Sequence, residues 1–190
     1  PIMVFEPGNL FYCHVTPNDA QDIVSRTVKK GEVIDKFLYT DPVSGRKVTK
    51  EAEIPFYSAQ GRQLLNFNKL VDACSIDDYI AIGGYRAIAK TLKEFKPAAI
   101  ISEIKASGLR GRGGAGFPTG RKWEEAYEAP GDEKYVICNA DEGDPGAYMD
   151  RCLLEANPHQ VLEGMMIGAR AVGARKGYIY VRREYPLAVK

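Results

Sequence analysis

The chain has 190 residues, enough to bury a real core in one or two domains. Its 26 Lys and Arg against 25 Asp and Glu leave a net charge of +1, which excludes a strong electrostatic pull toward nucleic acid or an acidic membrane surface. No apolar run approaches the roughly 18 residues that span a bilayer, so no direct membrane insertion is expected.

No signal peptide is visible, and the chain begins with Pro1 and no Met, which fits a processed chain or a fragment. Ile2-Met3-Val4-Phe5 and Leu10 to Val15 are β-prone runs around the turn Pro7-Gly8-Asn9, and they predict a hairpin. Thr16-Pro17-Asn18-Asp19 has the form of an N-cap with Pro at N1 and an acid at N3. The helix it opens carries Ala20, Ile23, Val24 and Val28 on one expected face and ends near Lys30-Gly31. Residues 40–70 are turn-rich, then charged, then apolar but broken by Pro55. They read as a connecting arm on the surface of the main domain.

Ser75-Ile76-Asp77-Asp78 has capping-box form and predicts a short helix, Ile76 to Ile82, interrupted by Gly83-Gly84. A second helix follows over about Tyr85 to Phe95, with Ile88, Ala89 and Leu92 expected inward. Pro97 opens a third that ends at Gly108. Further on, Lys134 to Cys138 is a strand whose nearly continuous apolar middle suits a parallel strand covered on both faces. Asn157-Pro158-His159-Gln160 caps a helix to about Val172, with an apolar stripe of Leu162, Met165, Met166, Ala169 and Val172 read as core. Gly173 stops it, and Tyr178 to Val181 is the next strand. Strand, helix, strand is a βαβ unit with a right-handed crossover.

The stretch between the third helix and the first of these strands is the most distinctive. Six glycines fall between Gly108 and Gly120, interleaved with Arg110, Arg112, Arg121 and Lys122 around the final glycine. Glycine lets the backbone lie against a ligand, and converging N–H groups form an anion-binding concavity. Gly111-x-Gly113-x-x-Gly116 fits the dinucleotide fingerprint on paper, but a helix rather than a strand precedes it, so the Rossmann context fails. The P-loop pattern fails too, because Arg121-Lys122 follows Gly120. A phosphate-binding loop and a flexible linker both fit the composition; Phe117-Pro118 and Trp123 argue against a plain linker.

Asn139, Asp141, Glu142 and Asp144 sit at the carboxyl end of the predicted strand, where ligands bind in open α/β sheets. The cluster reads either as a solvated turn or as a grip on a ligand; metal is disfavoured for want of a further ligand at a suitable spacing. Taken together, a basic glycine loop for a phosphate and an amide with carboxylates for a hydroxyl chain describe a mononucleotide such as FMN. Cys13, Cys74, Cys138 and Cys152 never fall as C-x-x-C and read as free thiols of a reducing compartment. His14 and His159 read as structural, and no metal site is expected.

Several stretches then fall in order: Gly108 to Gly120, Lys122-Trp123, Cys138 to Glu142, Pro145-Gly146, Asp150-Arg151 and Glu184-Tyr185-Pro186. Together they resemble the NADH-binding flavoprotein subunit of respiratory complex I. Within that family the stretches look like the related subunit of soluble, cytoplasmic NAD(P)-linked and bifurcating [FeFe] hydrogenases. The resemblance covers about residues 55–190. Residues 1–35 look like the last hairpin and helix of a thioredoxin-like 2Fe–2S domain whose cluster cysteines lie upstream; Cys13 matches no ligand position. The implied fold is α/β: an incomplete Rossmann-like FMN-binding domain with parallel strands and helices, preceded by the tail of a thioredoxin-like domain. The implied divisions are 1–35, a connecting arm over 36–74, and the amino-terminal part of the FMN/NADH domain over 75–190.

The resemblance also implies roles. Gly111, Arg112, Gly113, Gly114, Ala115 and Lys122 match the FMN loop. Asn139, Asp141 and Glu142 match the flavin-contacting turn, and Tyr185 a further FMN contact. Phe117 matches an aromatic that packs on the NADH adenine, Asp144 a nucleotide-side residue, and Glu142 the catalytic carboxylate. Glu125 stands where complex I subunits often have a second aromatic, and Asp144 where they often have Glu. The implied activity is hydride transfer between NAD(P)H and FMN, with electrons passed to iron–sulfur clusters in further parts of the chain or in partners. Those partners would be a thioredoxin-like 2Fe–2S subunit and an iron–sulfur, hydrogenase or dehydrogenase subunit, in the cytoplasm. A non-catalytic assembly module docking through residues 1–35 is the rival; a nucleic-acid binder using the Arg-Gly repeats conflicts with the near-neutral charge. Residues 1–190 are expected to be part of a longer chain or of a tightly held complex.

Overall fold

The β-prone runs at the start of the chain pair as predicted. The computed structural model describes residues 1–190, which divide into two units, Pro1–Arg62 and Gln63–Lys190. In the first, β1 (Ile2–Phe5) and β2 (Leu10–Cys13) form an antiparallel hairpin with Ile2 opposite Cys13. Tyr12 is fully buried between Phe5 and Phe37, and its hydroxyl meets Thr27 Oγ1 at 2.9 Å and accepts from Ile34 N at 2.7 Å. The opposite alternation, Phe11 and Cys13, packs on Val48 and Ile54.

The segment between Tyr39 and Ile54, read from sequence as part of an arm, joins this unit. β3 (Tyr39–Thr40) and β4 (Lys47–Val48) pair antiparallel, and Phe11 N donates to Thr49 O at 2.7 Å, so the chain beyond β4 runs beside β2. The capped helix also forms. A tight turn (Pro17–Asp19) leads into α1 (Ala20–Ile23) and a wider π turn (Val24–Val28), and the Asp19 carboxylate accepts from Thr16 N and Oγ1. Its buried side differs from the expected stripe. Ile23 and Thr27 point inward, while Val24 and Val28 are exposed, because the Thr27 hydroxyl is drawn in to Tyr12. A four-residue helix, α2 (Pro55–Ser58), ends the unit's regular structure.

In the second unit, α3 (Ile76–Ala81) starts as predicted, with Ser75 Oγ accepting from Asp78 N at 3.2 Å. Then come α4 (Arg86–Glu94), α5 (Pro97–Ala106) and α6 (Thr119–Glu128). In α4 only Ile88 is buried and Leu92 is exposed, contrary to the expected inward set. No sequence pattern announces α6, where Trp123 is half-buried beside Ile100, Ile101 and Ala171. α5 and α6 approach closely at Gly120, where a Cβ would lie 2.7 Å from Lys105 N. Only glycine permits that approach.

β5 (Tyr135–Ala140) and β6 (Lys176–Val181) are parallel, with Ala140 opposite Val181. The crossover holds two helices where the sequence predicts one. The unexpected helix is α7 (Met149–Ala156); α8 (Pro158–Val172) is the predicted one, and Gly173 ends it at φ +79°. A last short helix, α9, spans Pro186–Val189. α8 covers one face of the strand pair, its Met165 lying against Gly177. The other face is bare. Ile137 is 65% exposed and Tyr180 61% exposed, so the expected two-sided burial is not met. The α8 stripe differs too. Its buried positions are Glu163, Gly168, Ala171 and Val172, which form the side toward the other helices, while Leu162 and Met166 border solvent beside β6.

One buried charge ties these helices together. The Glu163 carboxylate accepts from Tyr79 Oη at 2.6 Å, Tyr85 N at 3.0 Å and Ile88 N at 3.0 Å, capping α4 from outside it. Tyr85, held left-handed at φ +60°, meets His159 Nδ1 at 2.7 Å through its hydroxyl. Burial, with Glu163 second, drives the Tyr79 hydroxyl far above its ordinary pKa. His159 is thus part of a structural network, as expected from the sequence.

Candidate functional site

The glycine loop leaves α5 at Gly108 and enters α6 at Thr119. Its neck is closed by backbone bonds from Gly111 N to Phe117 O at 2.8 Å and from Thr119 N to Leu109 O at 2.9 Å. Arg110 Nη1 donates across it to Gly116 O at 2.8 Å. Residues 112–116 at the tip make no backbone–backbone bond. Gly114 at φ +92° and Gly116 at φ +60° hold a conformation that side chains resist. A Cβ on Gly113, Gly114 or Gly116 would meet nothing within 4 Å. These glycines therefore serve backbone shape and access, not packing.

The acidic turn leaves the carboxyl end of β5. Asn139 Oδ1 accepts from Asp141 N at 3.1 Å and bends the chain. Glu142 is tied down more fully: its carboxylate accepts from Asp150 N at 3.1 Å and Arg151 N at 3.4 Å, so it caps α7. Such an anion is favoured at a helix start, where backbone N–H groups lack partners. Tyr185 Oη donates to the same carboxylate at 3.4 Å, and the guanidinium groups of Arg151 and Arg182 lie 5.5 and 5.9 Å from the Tyr185 ring centre. Arg182, first after β6, donates to Glu142 O at 2.6 Å.

The loop and the turn face each other across a cleft of about 650 Å³. Arg112 to Gly114 line one side, Asp141 to Asp144 the other, and residues 147–150 with Leu65 complete it. A smaller cleft of about 380 Å³ lies at the opposite, amino ends of the two strands. Open α/β sheets bind at carboxyl ends, which favours the larger one.

Of the residues named from sequence, Arg112, Gly113, Gly114, Asp141, Glu142 and Asp144 border the cleft. Gly111 and Ala115 flank its glycine side in the chain. Asn139 shapes the turn from behind, and Tyr185 is buried against Glu142. Lys122 and Phe117 are outside the lining. The Lys122 ammonium and the Arg121 guanidinium each lie 5.7 Å from the centre of the partly exposed Phe117 ring. Sequence reasoning misses Asp150, Tyr148 and Arg182 as site residues. Arg182 carries a usable signal: once β5 and β6 pair in parallel, the residue after β6 lies beside the turn that follows β5.

Burial, then the neighbouring Glu142 charge, raises the Asp150 carboxyl above its ordinary range. Burial, then Asp150, raises the Cys138 thiol, so it is no activated nucleophile. Four carboxylates and one arginine line the cleft. The turn side therefore suits hydroxyl and ring N–H donors, and the loop side suits an anion.

Residues 104–190 match the Nuo51 FMN-binding domain of the complex I 51-kDa subunit. A relative is the NADP-reducing hydrogenase subunit HndC of Solidesulfovibrio fructosivorans, 57% identical over 120 residues, 63% of this chain and 24% of that protein. Another is an NADH-quinone oxidoreductase subunit of Rhizobium meliloti, 50% identical over 119 residues, 63% of this chain and 28% of that protein. Among solved structures, the NAD⁺-reducing [NiFe]-hydrogenase in its air-oxidized state is similar across 100% of this chain and 29% of its own, with 27% identity and a TM-score of 0.54. The chain spans about a quarter of the length of these curated relatives. Both the glycine loop and the acidic turn fall inside the Nuo51 segment. No helix is long and apolar enough to cross a membrane.

Proposed function

We propose that this chain carries the phosphate-and-turn side of an FMN site in a flavoprotein that oxidises NAD(P)H within a larger complex. The observation that carries the reading is the meeting of the glycine loop and the acidic turn in one cleft of about 650 Å³. Small-ligand sites commonly occupy roughly 300–1,000 Å³. The residues present fit FMN. The tip glycines leave backbone N–H groups and empty space where a phosphate can approach, with Arg112 beside them. The Asp141–Asp144 side offers acceptors for a hydroxyl chain and for ring N–H groups.

When bound, FMN supplies hydride acceptance from a nicotinamide and single-electron release to iron–sulfur centres. This chain's residues bind and orient. Gly113 and Gly114 seat the phosphate, Asp141 orients the hydroxyl chain, and Glu142, fixed by α7 and Tyr185, presents a charge that limits how tightly an anionic dinucleotide stays. Lys122 and Phe117 form a cation-flanked aromatic face suited to an adenine at the edge of the site. Residues 1–35 act as the end of a thioredoxin-like domain, and the electrons leave to a 2Fe–2S subunit and a hydrogenase or dehydrogenase subunit in the cytoplasm.

The test is made on the full-length native protein. Released flavin is identified, and the bound flavin spectrum is followed anaerobically with NADH and with NADPH. Stoichiometric FMN that bleaches with either nucleotide supports the reading. FMN that never bleaches favours the assembly-module alternative, and absence of FMN removes the site.

A further inference from the structure

The acidic turn carries three carboxylates within four residues, yet it is held in one shape beside the cleft. Mutual repulsion among such groups favours an opened turn unless something fixes it. The side chain that reaches it from the end of the neighbouring strand is Arg182. The register puts Val181 opposite Ala140, so Arg182 emerges beside Asp141. Its Nη1 donates to the Glu142 carbonyl at 2.6 Å, and its Nε lies 3.9 Å from Asp141 Oδ1. Nη2 donates to Glu184 Oε1 at 3.3 Å, which aims the fork from behind. The guanidinium also borders the Tyr185 ring, whose hydroxyl holds the Glu142 carboxylate.

We propose that Arg182 is the positioning residue of the cleft: its guanidinium clamps the Glu142 peptide and offsets the Asp141 charge, and so sets the shape and potential of the turn that faces the flavin. It borders the ligand wall from outside and touches no reacting atom. The guanidinium suits this task because its planar fork addresses a carbonyl, Asp141 and Glu184 at once; a lysine has one point charge on a flexible stem. The same charge lies behind the turn, where it favours reduced, more anionic flavin and an anionic nucleotide. Loss of Arg182 therefore weakens both and moves the flavin midpoint potential to more negative values.

The inference rests on the FMN reading above, and its test separates the two. In the full-length protein within its complex, R182Q and R182K are compared with the parent for melting temperature, FMN dissociation constant, flavin midpoint potential and the KM and kcat for NAD(P)H. Expected for R182Q is about tenfold weaker FMN, equal to ~1.4 kcal/mol, a more negative potential and a raised KM. R182K recovers the potential more than the FMN affinity, since it restores charge but not the fork. A parent without FMN overturns the functional reading. A parent with FMN and an R182Q that matches it in potential and KM overturns the role of Arg182. Equal loss of melting temperature and flavin in R182Q and R182K, with no shift of potential in the remaining holo fraction, marks mere scaffolding and also overturns it.

Discussion

The glycine loop and the acidic turn line the same cleft but are fixed by opposite means. The loop's backbone bonds close only its neck, and a Cβ on its tip glycines would meet open space. The turn is cross-linked by side chains: Glu142 to the start of α7 and to Tyr185, Arg182 to the Glu142 carbonyl. One wall is a conformation that only glycine adopts cheaply; the other is a set of paired charges. A change in the first wall therefore acts through shape, and a change in the second through partners left unpaired.

The sharpest break in that comparison is Gly114→Val. A β-branched residue at φ +92° strains the loop and puts methyl groups into the open space proposed above for the phosphate. FMN binding should fall at least about a hundredfold, ~2.7 kcal/mol, while far-ultraviolet circular dichroism of the full-length protein stays that of the parent. Unchanged flavin content would remove the loop from the site.

Gly120→Ala tests the opposite case on the same stretch. There the Cβ would press on Lys105, 2.5 Å from Cγ and 2.7 Å from N. Overpacking of this kind costs about 1–3 kcal/mol. The urea midpoint should drop, and the FMN affinity of the folded fraction should stay close to the parent's. If instead flavin is lost with no change in midpoint, the two glycines do not divide into site and scaffold as described.

A smaller effect is expected from Glu142→Gln. The amide keeps an acceptor for the α7 N–H groups but loses the charge. NAD(P)H and NAD(P)⁺ should bind about threefold to tenfold more tightly, up to ~1.4 kcal/mol, a larger change than that in flavin content. Identical inhibition constants for the oxidised nucleotide in parent and variant would take the Glu142 charge out of nucleotide binding.

The contrast between the walls also explains what the sequence discloses. Local signals are readable: the Ser75 cap, the Pro97 start, Gly173 at the end of α8 and the hairpin of β1 and β2 each depend on residues a few positions apart. The glycine tip and the acidic cluster are legible for the same reason. What escapes is set by distant partners. Leu92 and Val28 fit a helical stripe but have nothing to pack on, while Glu163 looks like a surface charge until Tyr79, Tyr85 and Ile88 surround it. Arg182 and α7 belong to the same class: their roles exist only once β5 and β6 lie side by side.

The least effect, and the finest probe of the charged wall, is Asp150→Asn. Asp150 lines the cleft beside Glu142, and burial with that charge raises its carboxyl above the ordinary value of 3.8. A raised acid means that the folded state binds the proton more tightly than the unfolded chain. Between 3.8 and the folded value, folding takes up protons, so this group's contribution to stability falls as pH rises through that window. Below 3.8 both states are protonated and the contribution is fully present; above the folded value it is lost. Asparagine cannot ionise, so the variant keeps at neutral pH what the parent has lost. The gain is small, because solvent screens much of the interaction. Expected, then, is a variant-minus-parent difference in urea midpoint that grows from acid toward neutral pH, with Asp150→Asn the more stable at pH 7. In a Glu142→Gln background that difference should shrink, since one of its two causes is gone. A difference of the opposite sign, or one indifferent to Glu142, would mean that the two carboxylates do not sense each other across the start of α7.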